Sequence, residues 1–330
     1  MLALLLLLAQ APAVRPVTTI GCADCGGPAQ FSEIADVAVT ASGQVWVAET
    51  DDPRIRVFSS SGQAVRSFGR RGEGPGEYGA IEKLFPASNG SVAIVDLRLF
   101  RLTRVDTLGQ VISTSSIRNF PFDAAAGPGS STVYLLFSRF QPGTSAVTKA
   151  ESGTDSLVPV LGPLRDFPTQ QVPGEVHSLA IAPDGSVAVG DGDSEYRIRV
   201  FRGGQARDIT RDIPRKIRTP AEVAEMQARV LADGRRARAE GGRPSGEIAR
   251  EKPHFGWLSL RYDPAGRLWV KTGRGDESKT VFDVFTASGA YLGEVAVPGT
   301  VSSFSLNGSY LITAGEHRDG FPQVTLWSVR

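Results

Sequence analysis

Residues 35–68 read ADVAVTASGQVWVAETDDPRIRVFSSSGQAVRSF, and this stretch decides the fold. Four short runs rich in Val, Ile and aromatics (36–39, 45–49, 54–58 and 64–68) are separated by Ala41-Ser42-Gly43, by Asp51-Asp52-Pro53 and by a second glycine turn at Gly62. Short runs bounded by Gly, Pro, Asp and Ser are strands joined by tight turns, so the stretch predicts a four-stranded antiparallel meander. One such sheet cannot bury both of its faces. Recurrence at a period of about 40 residues lets neighbouring sheets bury them against each other, as the blades of a propeller do.

Outward from this template, blade two is expected over 80–117 and blade three over about 120–164, the poorest match. Blade four begins at His177, blade five at Trp257 and blade six at Val301. Gly43, Gly90, Gly129, Gly185, Gly266 and Gly308 mark the first turn of each, and the gap from Gly185 to Gly266 is about double the others. That gap holds residues 214–252, charged and almost free of aromatics. Thr219-Pro220-Ala221-Glu222 there is a capping box with Pro at the first helical position, followed by an apolar stripe of Val223, Met226, Val230 and Leu231. An inserted helix is expected rather than a seventh blade, covering one end of the propeller. The last blade has only three strands of its own. Residues 14–20 supply a lone strand to complete it, which closes the ring and leaves no sheet edge open. The fold class is therefore all-β: a six-bladed β-propeller over 14–330, its N-terminal strand closing the last blade and its helical insertion lying between blades four and five.

Composition narrows the rest. The 330 residues carry 36 Lys plus Arg against 35 Asp plus Glu, a net charge of +1, so no overall field draws the protein to nucleic acid or an anionic membrane. With 37 Gly and 21 Pro the chain suits many turns, and a radial repeat of this length remains one domain. Residues 1–13 read as a signal peptide: an apolar run from Leu2 to Ala9, too short to span a bilayer, then Ala11-Pro12-Ala13 as a small-x-small cleavage site. Export to the periplasm or the exterior as a soluble monomer follows, with no transmembrane segment in the mature chain. Cys22 and Cys25 are the only cysteines, and in an exported chain a small structural disulfide is the plain reading of C-x-x-C. A redox dithiol would sit beside a βαβ unit and a metal site would need two further ligands; neither context is visible.

An acid closing strand two, an Arg opening strand three and an aromatic closing it recur as Glu49, Arg54, Phe58 and as Asp191, Arg197, Phe201. This pattern resembles NHL-type repeats. The linker FGRRGEGPGEY (68–78) is similar to the inter-blade loop of bacterial exported six-bladed propellers of the NHL and TolB-like grouping. The resemblance covers most of the chain beyond the signal segment and implies the fold; the grouping hosts lyases, lactonases and binding modules alike. A cross-strand ion pair between the acid and the Arg explains the repeat pattern without a ligand. The Gly-rich linker lacks the Lys-Ser/Thr ending of a phosphate loop and opens no helix, which excludes that mode of nucleotide binding.

Propeller sites gather where the innermost strands converge. Aligning the first turns superposes His177 on Ala35, Glu82 and Leu258. The segment around His177 and Lys252-Pro253-His254-Phe255-Gly256 resemble zinc-ligand segments of peptidyl-hydroxyglycine amidating lyases. In that family the second His lies within a blade, whereas His254 precedes one, and His317 lacks the context of a third ligand. The expectation is a divalent metal site, zinc or calcium, of His177 and His254 with Glu82 or Asp123, able to polarise a carbonyl or activate water. The bland alternative makes His177 a hydrogen-bonded channel lining and His254 a loop residue under the helix. No G-x-S-x-G elbow occurs, and Asn89, Asn119 and Asn307 fall mostly in turns, so no gluconolactonase-type calcium set can be matched. Two functions stay open: a recognition scaffold binding a peptide, glycan or protein at the channel mouth, and a metal-dependent lyase or lactonase acting in the channel.

Overall fold

The computed structural model of the chain describes residues 10–24, 26–87, 89–117, 123–127, 132–137, 146–151, 157–161, 177–192, 195–239 and 249–330, and at some of these, His177, Asp191 and Trp257 among them, the backbone alone. The described strands form six four-stranded antiparallel sheets. Blade one is Ile34–Val39, Val45–Glu49, Ile55–Phe58 and Ala64–Phe68; blade two is Ile81–Pro86, Val92–Asp96, Arg101–Val105 and Val111–Ser116. Blade three is Asp123–Ala126, Thr132–Phe137, Ala146–Glu151 and Leu157–Leu161; blade four is His177–Ile181, Val187–Asp191, Tyr196–Arg202 and Gln205–Arg211. Blade five is Phe255–Tyr262, Leu268–Thr272, Lys279–Phe285 and Tyr291–Pro298. Blade six combines Val301–Leu306, Tyr310–Glu316 and Pro322–Val329 with Val14–Ile20 from the start of the chain.

A core cluster lies between every pair of neighbouring blades. Trp46, Ile55 and Val57 of blade one meet Tyr78 of the linker and Ile81 and Ile94 of blade two, and Val37, Val45 and Val47 meet Ile312, Val324 and Leu326 of blade six. Each sheet thus buries both faces, at roughly 25 cal/mol for every Å² of apolar surface taken from water. Closure is completed by Val14 opposite Val329 through Ile20 opposite Val324, with a bulge between Pro16 and Thr18 where proline cannot donate to the ladder. Ala13 and Arg330 exchange backbone hydrogen bonds of 3.0 and 2.9 Å, and the Ala11 amide donates to Leu292 of blade five at 3.0 Å. The chain is therefore knitted in from Ala11 onward, while residues 1–9 lie outside the described set.

The first turns match their glycines where they are described. Gly43, Gly90, Gly185 and Gly266 hold φ between 79° and 84°, a region closed to most side chains. Blade six differs: there Asn307 caps the turn, its side-chain oxygen accepting the amides of Ser309 and Tyr310, and Gly308 has no positive φ. Gly129 lies outside the described residues.

The helix Pro220–Ala239 stands between blades four and five. Its capping box is formed as the sequence predicts: the Thr219 amide donates to the Glu222 carboxylate at 2.8 Å and the Glu222 amide to the Thr219 hydroxyl at 3.2 Å. A short antiparallel stalk holds it, with Arg218 N to Arg250 O at 2.8 Å, Lys252 N to Lys216 O at 2.8 Å, and a Lys252–Glu222 ion pair at its base. The apolar stripe is only half covered, for Met226 and Leu231 are 36 % and 64 % exposed.

The acid-to-Arg pairing across the second hairpin of blade one is corrected. Glu49 pairs with Arg56 at 2.6 Å, and Arg54 with Asp52 at 3.0 Å. Residues alternate in a strand, so Arg56, two along from Arg54, shares its face and reaches farther inward. The linker 68–78 is a tied loop: Tyr78 is buried, its amide donates to Arg70 O at 2.8 Å, and Glu77 pairs with Arg70. Cys25 lies outside the described residues.

Candidate functional site in the central channel

Six equivalent positions, one on each innermost strand, carry the polar content of the channel. Asp36, Lys83, Asp123, Ser178, Ser259 and Ser303 each stand four residues before the amide that closes the first turn, at Thr40, Ala87, Gly127, Ala182, Asp263 and Asn307. None is more than 7 % exposed. Buried polar groups persist only when satisfied, and these satisfy one another across blades. Asp36 accepts the Leu84 amide at 2.9 Å, takes a short hydrogen bond from the Ser303 hydroxyl, and lies 3.7 Å from Lys83 Nζ. Asp123 accepts the Leu179 amide at 2.7 Å; the Ser178 hydroxyl accepts the Ser259 amide at 3.0 Å and donates to Gly256 O at 2.8 Å. Each residue of this ring therefore stitches one blade to its neighbour.

Two more cations join the ring. Arg261 lies two residues beyond Ser259, its guanidinium 5.6 Å over the Phe304 ring. Lys271, half-buried, donates to the carbonyls of Val301 and Ser302 at 3.2 and 3.0 Å. Burial pushes its ammonium down to about 8, helped by Lys83 and Arg261 and opposed by Asp36. Burial likewise pushes Asp123 up to about 6, against the pull of Arg261, the Leu179 amide and Lys83. Glu82 is exposed by area, yet the walls of the mouth displace enough water to raise its carboxyl, with Lys83 opposing and Asp36, Asp96 and Glu33 adding to the rise.

The Asp123 shift has a measurable consequence. Its folded value stands above the ordinary 3.8, so the folded protein keeps a proton that the unfolded chain releases between about pH 4 and 6. The stability this group contributes therefore falls as pH rises through that window and levels off above it, a limb of about 3 kcal/mol. Comparing urea midpoints of wild type and Asp123→Asn from pH 4.5 to 7.5 isolates the limb. Parallel curves for the two proteins would refute the assignment.

Two cavities flank the ring. One of about 370 Å³ opens where the innermost strands end, with Asp36 at its floor, Phe85, Ala125, Ala180 and Phe304 on its walls, and Arg261 projecting into it. The other, about 880 Å³, lies at the opposite end between the start of the helix and blades five and six, and is lined by Glu222, Met226, Lys252, Lys271 and His317.

Of the sequence-predicted metal residues, Asp123 stands in the ring and Glu82 one residue before Lys83. His254 is buried against the edge of Tyr196, ring centroids 5.8 Å apart, with its amide donating to Gly192 O at 2.8 Å. Tyr196 opens the third strand of blade four, so this imidazole faces the seam between blades four and five rather than the ring. Burial, then Arg215 and Arg274, depresses its pKa. His177 pairs in backbone register with Asp191 one residue before the ring position; its side chain is outside the described set. His317 stacks on Phe321 and accepts the Asp319 amide at 3.2 Å in a blade-six loop. Among the described residues no group of three His, Cys, Asp or Glu side chains is placed to hold a metal ion.

Sequence reasoning singled out Asp123 and missed Asp36, Lys83, Arg261 and Lys271. The signal was present: once the first turns are aligned, a charge interrupts an otherwise apolar inner strand, as in Asp36-Val37-Ala38-Val39 and Leu258-Ser259-Leu260-Arg261.

Comparison with known proteins places this geometry. No protein-family model matches the chain, and no curated protein matches it. Among solved structures it resembles a member of the DUF4221 family from Bacteroides vulgatus, at 11% identity and a TM-score of 0.59 over 98% of this chain and 99% of that one. The likeness is one of fold. A gluconolactonase from Xanthomonas campestris follows at 16% identity and 0.52, over 91% of this chain and 87% of the other. A Bacteroides fragilis protein provisionally described as exported gives 10% and 0.54, over 97% and 94%. These identities carry the six-bladed propeller and nothing of its chemistry.

Proposed function

We propose that this protein is an exported recognition scaffold of the NHL-like kind whose channel receives a ligand, a peptide end, a glycan or a segment of a partner protein, at the mouth where the innermost strands end. The observation that carries this reading is the cavity of about 370 Å³, apolar on its walls and closed below by a charged ring whose members bond to each other. Ligand sites have this character: concave, mostly apolar, with a few fixed polar groups. Export is supported by the apolar run of Leu2 to Ala9 and the small-x-small site Ala11-Pro12-Ala13. The C-x-x-C of Cys22 and Cys25 as a structural disulfide belongs to the same reading.

The neutral fluorophore N-phenyl-1-naphthylamine serves as probe. It should bind saturably at one site per chain, and Ser305→Trp, which fills the cavity rim from a half-exposed position, should abolish that binding while leaving the melting temperature within about 2 °C. Undiminished binding by a folded Ser305→Trp protein overturns the reading. The metal-dependent lyase or lactonase alternative replaces it if the purified chain retains one zinc or calcium and loses it on His254→Ala.

A further inference from the structure

We infer that the channel cavity is a carboxylate site: its ligand presents one carboxylate on an apolar body, and Arg261 receives it. This rests on the reading above, that the cavity is the binding site, and adds the chemical class.

Three observations converge on it. Arg261 lines the cavity, and its one described hydrogen bond runs from Nη1 to its neighbour Leu260 O at 2.8 Å. The remaining donors of a planar fork, which suits a carboxylate better than any other side chain does, are uncommitted among the described residues. The carboxylates close by are engaged elsewhere. Asp36 holds the Leu84 amide, Ser303 and Lys83; Asp263, also on the cavity wall, holds Arg267 at 2.6 Å and Trp269 Nε1 at 3.1 Å. Asp123 acts on Arg261 without an ion pair and is tied to the amides of Leu179 and Ala124.

Among the described residues Arg261 is the one cation lining this cavity, since Lys83 is held 3.7 Å from Asp36 and Lys271 lines the opposite cavity. A single planar fork matches one carboxylate. The guanidinium lies 5.6 Å over the Phe304 ring, and the walls of Phe85, Ala125, Ala180 and Phe304 favour a hydrocarbon or aromatic body behind the carboxylate.

Such a carboxylate comes from a free organic acid or from the C-terminus of a chain entering end-on, and the test separates them. Displacement of N-phenyl-1-naphthylamine is measured with 3-phenylpropionate and 3-phenylpropionamide, and with N-acetyl-Gly-Leu-Phe as free acid and as C-terminal amide. At least one acid should bind about tenfold or more tightly than its amide, since a charge-assisted bidentate pair is about twice as strong as a neutral hydrogen bond. Arg261→Gln should reduce that preference to about twofold or less, and Arg261→Lys should restore part of it. Preference confined to phenylpropionate assigns a free acid; preference for the peptide acid assigns a chain end. If acid and amide compete equally, or Arg261→Gln keeps the preference while still binding the fluorophore, the carboxylate assignment fails and the cavity remains the site. If the fluorophore itself does not bind, the underlying reading fails first.

Discussion

Asp283→Ala should lower the unfolding free energy by about 3–5 kcal/mol, a large share of the roughly 5–15 kcal/mol that holds a native protein together. Asp283 is fully buried in the third strand of blade five. Arg211 Nη1 lies 2.6 Å from its Oδ1, the Arg274 guanidinium contacts the same oxygen, and the Tyr291 hydroxyl donates to it at 3.2 Å. Arg211 also lies 3.9 Å over the Tyr291 ring, and the Tyr196 hydroxyl beside it is pushed well above 10 by burial and then by the Asp283 charge. Arg211 comes from blade four, so this one carboxylate joins two blades. Removing it strands the largely buried Arg211 guanidinium and leaves Arg274 with Glu294 alone, and the cost of a buried unpaired charge exceeds what the intact pair contributes. Glu294→Ala, which removes only Arg274's half-exposed second partner, should cost no more than about 1 kcal/mol. Urea denaturation of both variants measures the contrast; equal small losses would show that Asp283 is not the anchor of this seam.

The second large effect is at Asp36. Asp36→Ala removes the acceptor of the Leu84 amide and the Ser303 hydroxyl and the counter-charge of Lys83, all buried, and should cost about 3–5 kcal/mol. Asp36→Asn keeps an acceptor for the amide and loses the charge, so it should fall between. Lys83→Met in the Asp36→Ala background removes the stranded ammonium and should recover part of the loss. Recovery in that double variant separates electrostatic stitching from a simple packing defect; a double variant no better than Asp36→Ala would refute the ring as described.

Much of this molecule was legible in its residues. Glycines at the first turns, β-branched runs between them and the capping box at Thr219 are local features, and local conformational preference specifies them. The count of six blades followed from that spacing, and the closing strand from the odd strand at each end of the chain. The pairing of Arg56 rather than Arg54 with Glu49 was not legible, since which of two arginines on one strand face reaches a carboxylate depends on the depth at which each side chain sits.

The site divides along the same line. Sequence alone determined the propeller and the position of each inner strand, because strand period and turn chemistry act within a few neighbours. Only the tertiary structure decided that His254 packs against Tyr196, that Asp36 meets Ser303 from the far end of the chain, and that Arg261 lines a cavity with no carboxylate partner among the described residues. Those facts depend on which blades become neighbours when the ring closes and on how water is expelled between them, and residues hundreds of positions apart carry no local trace of it.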